Sequence, residues 1–373
     1  MKIAIDARPI NHNFRQGIFN YTERLIYGLA RIDKENDFLL LFTSLRKKYH
    51  QMPGPIQENF FKKVLPVPDR GFFLRKFFLY QVVLPYFLKK NNCAVYHAPA
   101  GYTLPNINGK IKKILTIHDL RSLKITDKTF PQDISSLKKA ANDADVCITI
   151  SECTKKDIVE NLRVAPEKIK VIYEGADEIF KPIEHSVIDD IKQKYQINKN
   201  YFFSLGQVPR KNIERLIKAF SIFKYKSEFL LVIGGAGNNG PWMIKYRDLA
   251  KKLNIDESVK FIGYIPYEDL PLLYNGSECF VFPSLYEGFG IPLLEAMSCG
   301  RPVITSNVSS LPEIGKDAVL YVDPYNENDI ASKMEKLVED RELRGALIKK
   351  GISRAQEFSW MKMAQETLKI YMD

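Results

Sequence analysis

The most constraining feature of this sequence is an alternation of short apolar runs with longer amphipathic ones, which occurs twice along the chain. Runs rich in β-branched and aromatic residues predict strands, and the amphipathic segments between them predict helices. This alternation is typical of parallel sheets covered by helices. The first half predicts strands at residues 2–6, 37–42, 94–97, 113–118, 146–150 and 170–173, and helices at residues 19–29 and 155–162.

The pattern starts again after a charged, weakly apolar stretch at residues 181–200. The second half predicts strands at residues 201–205, 229–233, 259–262, 278–282 and 301–305, and helices at residues 213–224 and 292–299. The predicted fold class is therefore α/β, with two doubly wound Rossmann-like domains and a linker near residues 181–198. Ligands bind outside the carboxyl ends of the strands in such sheets. We therefore expect the two domains to face each other across a substrate-binding cleft.

Composition excludes several classes of protein. The longest apolar stretch, residues 77–88, is interrupted by Gln81 and Pro85 and is shorter than the ~20 residues of a membrane span. The N-terminus alternates apolar and polar residues up to Asp6, unlike a secretory leader. Five cysteines without a Cys-x-x-Cys pair indicate reduced thiols and no zinc site. We therefore expect a cytoplasmic protein.

The net charge of +11 lies mostly in the first half, where residues 1–185 carry 30 basic and 20 acidic side chains. A basic half favours an anionic partner, and a solvated surface is the alternative. Residues 71–80 mix aromatic and basic side chains, as does a segment that contacts an anionic membrane. Apolar positions from Phe73 to Leu84 also have the spacing of a core helix. The sequence has no zinc-finger or recognition-helix pattern, so we expect no nucleic-acid partner.

Residues 282–300 carry the clearest functional signal. A buried strand is predicted to end in a glycine-containing turn, and a helix N-terminus follows directly. Such an N-terminus suits a phosphate, and Gly288 and Gly290 allow close backbone approach. Glu287 and Glu295 are spaced to face one cavity, where carboxylates would accept hydrogen bonds from sugar hydroxyls. A solvated turn residue and a helix N-terminal acid are the alternative interpretation.

This segment resembles the Glu-x7-Glu motif of the retaining glycosyltransferases of family 4, in particular their mannosyltransferase-like members. Similar segments follow in the family's order over nearly the whole chain, at residues 204–213, 261–266, 309–314 and 358–360. The resemblance implies a GT-B fold, with residues 1–182 binding the acceptor and residues 183–357 binding the nucleotide-sugar donor. It also implies that the C-terminal helix, residues 358–373, packs back on the first domain.

The resemblance implies roles for individual residues. Glu295 would bind the nucleotide ribose, Glu287 would lie beside the donor sugar, and Arg210 with Lys211 would neutralise the diphosphate. Gln207 stands where family members often have Arg, so the cationic clamp depends on Arg210 and Lys211. The implied donor-binding residues are Gly17, Arg210, Lys211, Tyr264, Ile265, Glu287, Gly288, Phe289, Gly290, Ile291, Leu293 and Glu295.

In the first domain, the resemblance places His118 near the donor sugar and Asp119 towards the acceptor, with Ser151 as a weaker acceptor contact. The implied catalytic residues are His118, Asp119, Glu287, Arg210 and Lys211. The implied reaction transfers a hexose with retention, without metal or cofactor. We expect mannose from GDP-mannose first, with UDP-sugars open, and a glycan or lipid-linked saccharide acceptor in cell-surface polysaccharide or lipopolysaccharide synthesis at the inner face of the membrane.

The residues alone leave three alternative functions open. Residues 235–240 fit the Gly-x-Gly-x-x-Gly fingerprint of a nicotinamide-dependent enzyme, but Pro241 follows directly. A glycosidase would use Glu287 and Glu295 as its two carboxylates. A non-catalytic, membrane-associated protein would retain a degenerate sugar site. Asp143 and Asp145 form an Asp-x-Asp pair, but they precede a buried strand, where such acids usually cap a helix end.

Overall fold

A computed structural model of the chain describes residues 1–11, 17–43, 57–66, 77–101, 103–107, 109–125, 132–235 and 240–373. These residues form two compact units. The N-terminal unit comprises Met1–Leu120, Gln132–Glu174 and Trp360–Asp373, each in its described part, and the C-terminal unit comprises Gly175–Ser359 with the described part of Arg121–Pro131. Each unit has its own hydrophobic core.

The N-terminal unit contains a seven-stranded parallel sheet in the order β3-β2-β1-β4-β5-β6-β7. The inner strands are mostly buried and apolar, as is usual for parallel sheets, while the edge strands β3 and β7 have exposed residues. They are β1 Lys2–Asp6, β2 Asp37–Thr43, β3 Phe60–Leu65, β4 Val95–Ala98, β5 Lys112–Ile117, β6 Val146–Thr149 and β7 Ile169–Val171.

The C-terminal unit contains a six-stranded parallel sheet in the order β10-β9-β8-β11-β12-β13. Its strands are β8 Asn200–Leu205, β9 Phe229–Gly234, β10 Val259–Gly263, β11 Cys279–Phe282, β12 Val303–Ser306 and β13 Leu320–Val322. In both sheets the strand order reverses once, between β1 and β4 and between β8 and β11. The crevice at the carboxyl ends of the strands beside such a reversal is where doubly wound sheets bind ligands.

Helices connect the strands in both units. In the N-terminal unit they are Arg8–Asn11, Gly17–Ile32, Leu79–Val83, Leu84–Lys90, Ile134–Asp143, Glu152–Asp157, Ile158–Leu162, Pro166–Lys168 and Trp360–Met372. In the C-terminal unit they are Arg121–Lys124, His185–Lys194, Pro209–Lys211, Ile213–Ile222, Pro241–Lys252, Leu270–Gly276, Ile291–Ser298, Leu311–Gly315, Lys316–Ala318, Glu327–Glu339 and Arg341–Ala355. Within the described ranges, no helix has the length and hydropathy to span a membrane.

The predicted α/β class is confirmed, and each predicted strand is present with ends shifted by a residue or two. Two strands were not predicted: β3, whose exposed lysines interrupt the apolar pattern, and the three-residue β13. Residues 181–198, predicted to contain the linker, include the helix His185–Lys194 and belong to the C-terminal unit. The two units divide between Glu174 and Gly175, earlier than the predicted boundary at residue 182.

The C-terminal helix Trp360–Met372 belongs to the N-terminal unit and is fixed to its sheet by polar contacts. Tyr371 Oη lies 2.6 Å from His97 Nδ1, and Lys112 Nζ donates to the Ile370 carbonyl oxygen at 2.7 Å. His97 is fully buried, and burial together with the nearby His118 lowers its pKa to about 3. The His97 ring is therefore neutral and serves as a hydrogen-bonding bridge within the core.

Candidate functional site

The carboxyl ends of β8 and β11 bring together the basic and acidic residues of two distant sequence segments. Arg210 and Lys211 follow β8, and Glu287 follows β11. Glu287 Oε1 lies 2.6 Å from Arg210 Nη1 and 2.7 Å from Lys211 Nζ. Ser284 Oγ donates to the same carboxylate oxygen at 2.6 Å. These four residues form the charged cluster of the C-terminal unit.

Local backbone contacts hold the two segments of the charged cluster in register. The Leu285 N–H donates to the Arg210 carbonyl oxygen at 2.8 Å, and Asn212 Nδ2 donates to the Pro283 carbonyl oxygen at 3.0 Å. Gly206 has φ +101, and a Cβ there would lie 2.6 Å from Lys211 Cγ. Glycine at position 206 therefore lets the Lys211 side chain cross the backbone on its way to Glu287.

The electrostatics of the charged cluster follow from its burial. Burial opposes ionisation of Glu287, but the charges of Arg210 and Lys211 outweigh it and lower the pKa of Glu287 to about 2. Burial, reinforced by Arg210, lowers the pKa of Lys211 to about 8 despite its contact with Glu287. The Lys211 ammonium also lies 4.4 Å from the centroid of the Phe282 ring. At neutral pH the cluster holds two cations against one carboxylate in a buried setting.

Glu295, on the helix Ile291–Ser298, is a second buried carboxyl group in the same unit, with 6% of its surface exposed. Tyr274 Oη donates to Glu295 Oε2 at 2.9 Å. Burial raises the pKa of Glu295 to about 7, and the nearby Asp177 carboxylate adds to the increase, although the Tyr274 bond opposes it. Tyr267 Oη donates to Asp177, so two tyrosines and two carboxyl groups adjoin one another here.

The turn between the two glutamates places its backbone at the start of a helix. Gly290 has φ +117, a left-handed conformation that glycine adopts without strain, and it directly precedes the helix Ile291–Ser298. Pro292 is the second residue of this helix, whereas the sequence predicts that the helix begins at residue 292. Helix N-termini favour anions, because their N–H groups and dipole point outward. Glu287 thus lies in the turn that follows β11, and Glu295 lies on the helix that begins after this turn.

The other residues implied to bind the donor differ in how far their side chains are exposed to solvent. Phe289 and Leu293 are buried in the C-terminal core, with the Phe289 ring 5.7 Å from that of Phe358, so a ligand contact would come from their backbone. Ile291 is half-buried at the first turn of its helix. Tyr264 follows β10 and is 67% exposed, and the Ile265 side chain packs over Gly234 at the end of β9.

The N-terminal unit has its own polar edge, at the ends of β5, β6 and β7. His118 follows β5, and its Nε2 lies 2.8 Å from the Pro99 carbonyl oxygen, so Nε2 carries a proton. His118 Nδ1 lies 3.6 Å from Oε1 of Glu174, a buried carboxylate that follows β7. The Tyr21 ring contacts the His118 ring edge to face at 4.7 Å between centroids. The His118 ring is thus fixed from three sides.

The remaining predicted residues of the N-terminal unit have structural partners. Asp119 Oδ1 accepts a hydrogen bond from Gln132 Nε2 at 2.7 Å. Ser151 is fully buried and caps the helix Glu152–Asp157 by accepting from the Thr154 N–H at 3.1 Å. Gly17 is the first residue of the helix Gly17–Ile32, and a Cβ there would meet nothing within 4 Å among the described residues. The structure therefore shows a capping role for Ser151.

Sequence reasoning missed several polar residues beside these groups. Glu174, Ser284 and Tyr274 contact His118, Glu287 and Glu295 respectively. Glu174 could have been found, since it directly follows a predicted strand of a parallel sheet. Of the alternative motifs, Asp145 accepts from the Lys113 N–H at 2.7 Å and so has a structural role. Residues 236–239 of the glycine-rich fingerprint and residues 71–76 of the aromatic and basic segment lie outside the described residues.

Comparison with known proteins agrees with this geometry. Residues 187–354 match the family described as Glycosyl transferases group 1, and residues 16–179 match Glycosyltransferase Family 4. The chain is 30% identical over 284 residues to O-antigen chain mannosyltransferase B of Escherichia coli, covering 74% of each chain. It is 30% identical over 280 residues to the serotype-specific mannosyltransferase WbdA of Escherichia coli, of which it spans 33%.

The fold resemblance extends over the whole chain. Sucrose-phosphate synthase from Thermosynechococcus elongatus superposes with a TM-score of 0.77 at 20% identity, covering 100% of this chain and 98% of that one. The structure of WaaG, a glycosyltransferase involved in lipopolysaccharide biosynthesis, gives a TM-score of 0.74 at 16% identity, covering 100% and 99%. The fold is thus the GT-B type of glycosyltransferases. The chain belongs to glycosyltransferase family 4 and is a glycosyltransferase, as the sequence predicts.

Proposed function

We propose that this chain transfers a mannosyl residue, with retention, from a nucleotide-diphosphate sugar to a hydroxyl group of a glycan or lipid-linked saccharide. GDP-mannose is the first donor to test, and UDP-sugars are the second. The relatives support the sugar, because the names of three of them, including O-antigen chain mannosyltransferase RfbU of Salmonella typhimurium, state mannosyl transfer. The observation that carries the proposal is the charged cluster, in which Arg210 and Lys211 contact the buried carboxylate of Glu287, in a unit that also buries Glu295.

In this proposal each part of the C-terminal unit binds one part of the donor. Arg210 and Lys211 bind the diphosphate, and the Glu295 carboxylate accepts hydrogen bonds from the ribose hydroxyls. Glu287 and the backbone of residues 288–290 contact the sugar. Tyr264 and Ile265 lie at the base. The two cations supply the charge neutralisation, so we propose that the reaction requires neither metal nor cofactor.

In this proposal the residues stabilise developing charge and position the two substrates. The bond between the sugar C1 and the diphosphate oxygen breaks, and a bond forms from C1 to the acceptor oxygen on the same face. The acceptor proton passes to an oxygen of the departing phosphate. Fixed cations in a buried site stabilise the negative charge that develops on the diphosphate. His118 would orient the sugar, and Asp119, with Ser151 nearby, would face the acceptor.

A direct test combines ligand binding with transfer. We would measure the unfolding temperature of the purified protein with GDP, UDP, ADP and NAD, each with and without a chelator, and then the transfer of mannose from GDP-mannose. Stabilisation by GDP that survives chelation, with an α-linked product by NMR, is expected. Stabilisation by NAD alone, or by no nucleotide, would contradict the proposal. Stabilisation by UDP and not by GDP would replace GDP-mannose with a UDP-sugar.

We further propose a cytoplasmic enzyme that contacts the inner face of an anionic membrane through its N-terminal unit. Three aromatic side chains, Phe77, Phe78 and Tyr86, are 60%, 41% and 65% exposed. The Lys90 ammonium lies 5.6 Å from the Tyr86 ring centroid, so cations and aromatic rings adjoin as at a membrane interface. Tyr80 of the same segment is buried, which fits the core-helix interpretation for that position.

Vesicle flotation tests the membrane contact. We expect the protein to float with phosphatidylglycerol vesicles at low salt and not with phosphatidylcholine vesicles. A Tyr86→Ser variant, whose side chain is exposed, should float less. Ile222→Ser is the control, because Ile222 is a 49% exposed residue of the C-terminal unit. Equal flotation with both lipids, or with neither, would contradict the proposal.

A further inference from the structure

Two serines on a separate segment, Ser309 and Ser310, bind the backbone of the turn that carries Glu287. They follow β12, the strand next to β11 in the sheet. The Glu287 N–H donates to Ser309 Oγ at 3.1 Å. Ser310 Oγ lies 3.0 Å from the carbonyl oxygen of Glu287 and 2.7 Å from that of Phe289, and donates towards both. Both main-chain polar groups of Glu287 thus have a serine hydroxyl as their partner.

The secondary structure around these serines does not explain them. Ser310 directly precedes the helix Leu311–Gly315, the usual place for a capping serine. Its side chain makes no capping hydrogen bond, and the residue is fully buried. Ser309 has φ +55, a conformation that residues other than glycine rarely adopt. Glycine would adopt this backbone without strain, so the hydroxyl group is what serine adds at position 309.

We propose that Ser309 and Ser310 are positioning residues for the sugar-binding half of the donor site. This inference rests on the proposed function, in which Glu287 and the backbone after it contact the donor sugar. By binding the Glu287 N–H and two carbonyl oxygens, the serines fix the peptide planes of the turn. They thereby set the direction of the Glu287 side chain and of the amides that follow.

The nucleotide-binding half is held by other groups. Glu295 is oriented by Tyr274, and the Arg210 carbonyl oxygen accepts from the Leu285 N–H at 2.8 Å. Loss of a serine hydroxyl should therefore loosen the sugar contacts and leave the nucleotide contacts in place. Misplacement of a sugar by a fraction of an ångström is enough to slow transfer.

The experiment compares Ser309→Gly, Ser310→Ala and the control Ser306→Ala. Ser309→Gly keeps the backbone conformation and removes only the side chain. Ser306 is a buried serine at the end of β12, and its Oγ has no hydrogen-bond partner among the described residues, so its removal should be silent. For each variant we would measure the Kd of the nucleoside diphosphate that stabilises the wild type, the KM and kcat for the matching nucleotide sugar, and the unfolding temperature.

We expect Ser309→Gly and Ser310→Ala to lower kcat/KM for the nucleotide sugar by about 10-fold, an effect the size of one weakened polar contact. The Kd of the nucleoside diphosphate should stay within about 2-fold, since Glu295 and its Tyr274 partner do not contact either serine. Ser306→Ala should match the wild type in all quantities. Because Ser309→Gly relieves backbone strain, it is expected to fold even if Ser310→Ala does not.

Two results would overturn the inference. One is unchanged kcat/KM in both variants, which would make the serine contacts irrelevant to transfer. The other is an equal loss of nucleotide-sugar turnover and of nucleoside diphosphate affinity, which would mean that the serines support the fold of the whole site. A failure of the proposed function is distinguishable, because the wild type itself would then neither bind a nucleoside diphosphate nor transfer a sugar.

Discussion

The first six strands of the N-terminal sheet have the strand order of the C-terminal sheet, and both sheets place polar residues at the carboxyl ends of their strands, but the two units stabilise those residues differently. In the C-terminal unit, a partly exposed arginine and a largely buried lysine share one carboxylate oxygen of Glu287. In the N-terminal unit, His118 is held by the Pro99 carbonyl, the Tyr21 ring and a 3.6 Å contact with Glu174. The C-terminal unit thus concentrates charged side chains, which suits the diphosphate of the proposed donor. The N-terminal unit instead fixes the orientation of the His118 ring, which suits contact with the reacting sugar.

The net charge of each half does not locate the anion site. The first 185 residues carry the excess of 30 basic over 20 acidic side chains, yet Arg210 and the largely buried Lys211 lie in the nearly neutral second half. A largely buried cation exerts a stronger field than a solvated lysine, because water screens the latter. The net charge of each half therefore describes its surface, whereas the burial of individual charged side chains identifies the candidate binding site.

Lys211→Ala tests the charged side of this comparison and should have the largest effect. Loss of the buried cation should lower kcat/KM by about 1,000-fold, because the developing diphosphate charge loses its nearest partner. Initial rates with saturating acceptor measure this loss. Lys218→Ala is the control, since Lys218 forms an exposed ion pair with Glu214 on the helix Ile213–Ile222. A loss below about 10-fold would mean that Lys211 does not bind the diphosphate.

His118→Ala tests the N-terminal unit, in which His118 is proposed to orient the sugar. We expect kcat to fall by about 100-fold, the size of effect typical of a lost positioning contact in an active site. The Kd of the nucleoside diphosphate, measured by titration calorimetry, should be unchanged, because its proposed contacts all belong to the C-terminal unit. If nucleotide affinity falls as much as kcat, the division of roles between the two units is wrong.

Glu174→Gln removes the negative charge beside His118 and keeps the shape of the side chain. We expect about 10-fold lower kcat with little change in stability, because the Glu174 carboxylate lies 3.6 Å from His118 Nδ1 and helps to orient the ring. Steady-state kinetics measure the change in kcat, and thermal unfolding measures the change in stability. The control is Glu167→Gln, at an exposed position of the helix Pro166–Lys168 in the same unit. Equal kinetics for Glu174→Gln and Glu167→Gln would contradict a role for Glu174.

The pH dependence of nucleotide-sugar binding should be a shallow bell set by the C-terminal unit. Below the pKa of Glu295, about 7, its carboxylate becomes protonated and accepts ribose hydroxyls less well. Above the pKa of Lys211, about 8, the ammonium loses the charge that binds the diphosphate. Affinity should therefore be about 5-fold weaker at acidic pH ~6 than near pH ~7.5. The Glu295→Gln variant should lose the acid limb, and an unchanged acid limb would assign it to another group.

The part of the C-terminal site from Glu287 to Glu295 could be predicted from spacing, because one turn and the helix after it carry these residues. Arg210 and Lys211 reach Glu287 only because β8 and β11 are neighbours in the sheet. The N-terminal site was less predictable, since Glu174 reaches His118 only because β7 and β5 belong to the same sheet. Ser309 and Ser310 were recognised as part of a similar segment, but their contacts with the Glu287 turn depend on the pairing of β12 with β11.

By itself, the sequence determined the alternation of strands and helices, the two-unit α/β fold and the motif from Glu287 to Glu295, because hydrophobic periodicity and turn chemistry act over short distances. Only the tertiary structure decided which charges are buried together. The pKa of Glu287 is low because of the cations Arg210 and Lys211, which are distant in sequence, and the pKa of Glu295 is raised by burial. These partners and this burial exist only once the sheet has formed.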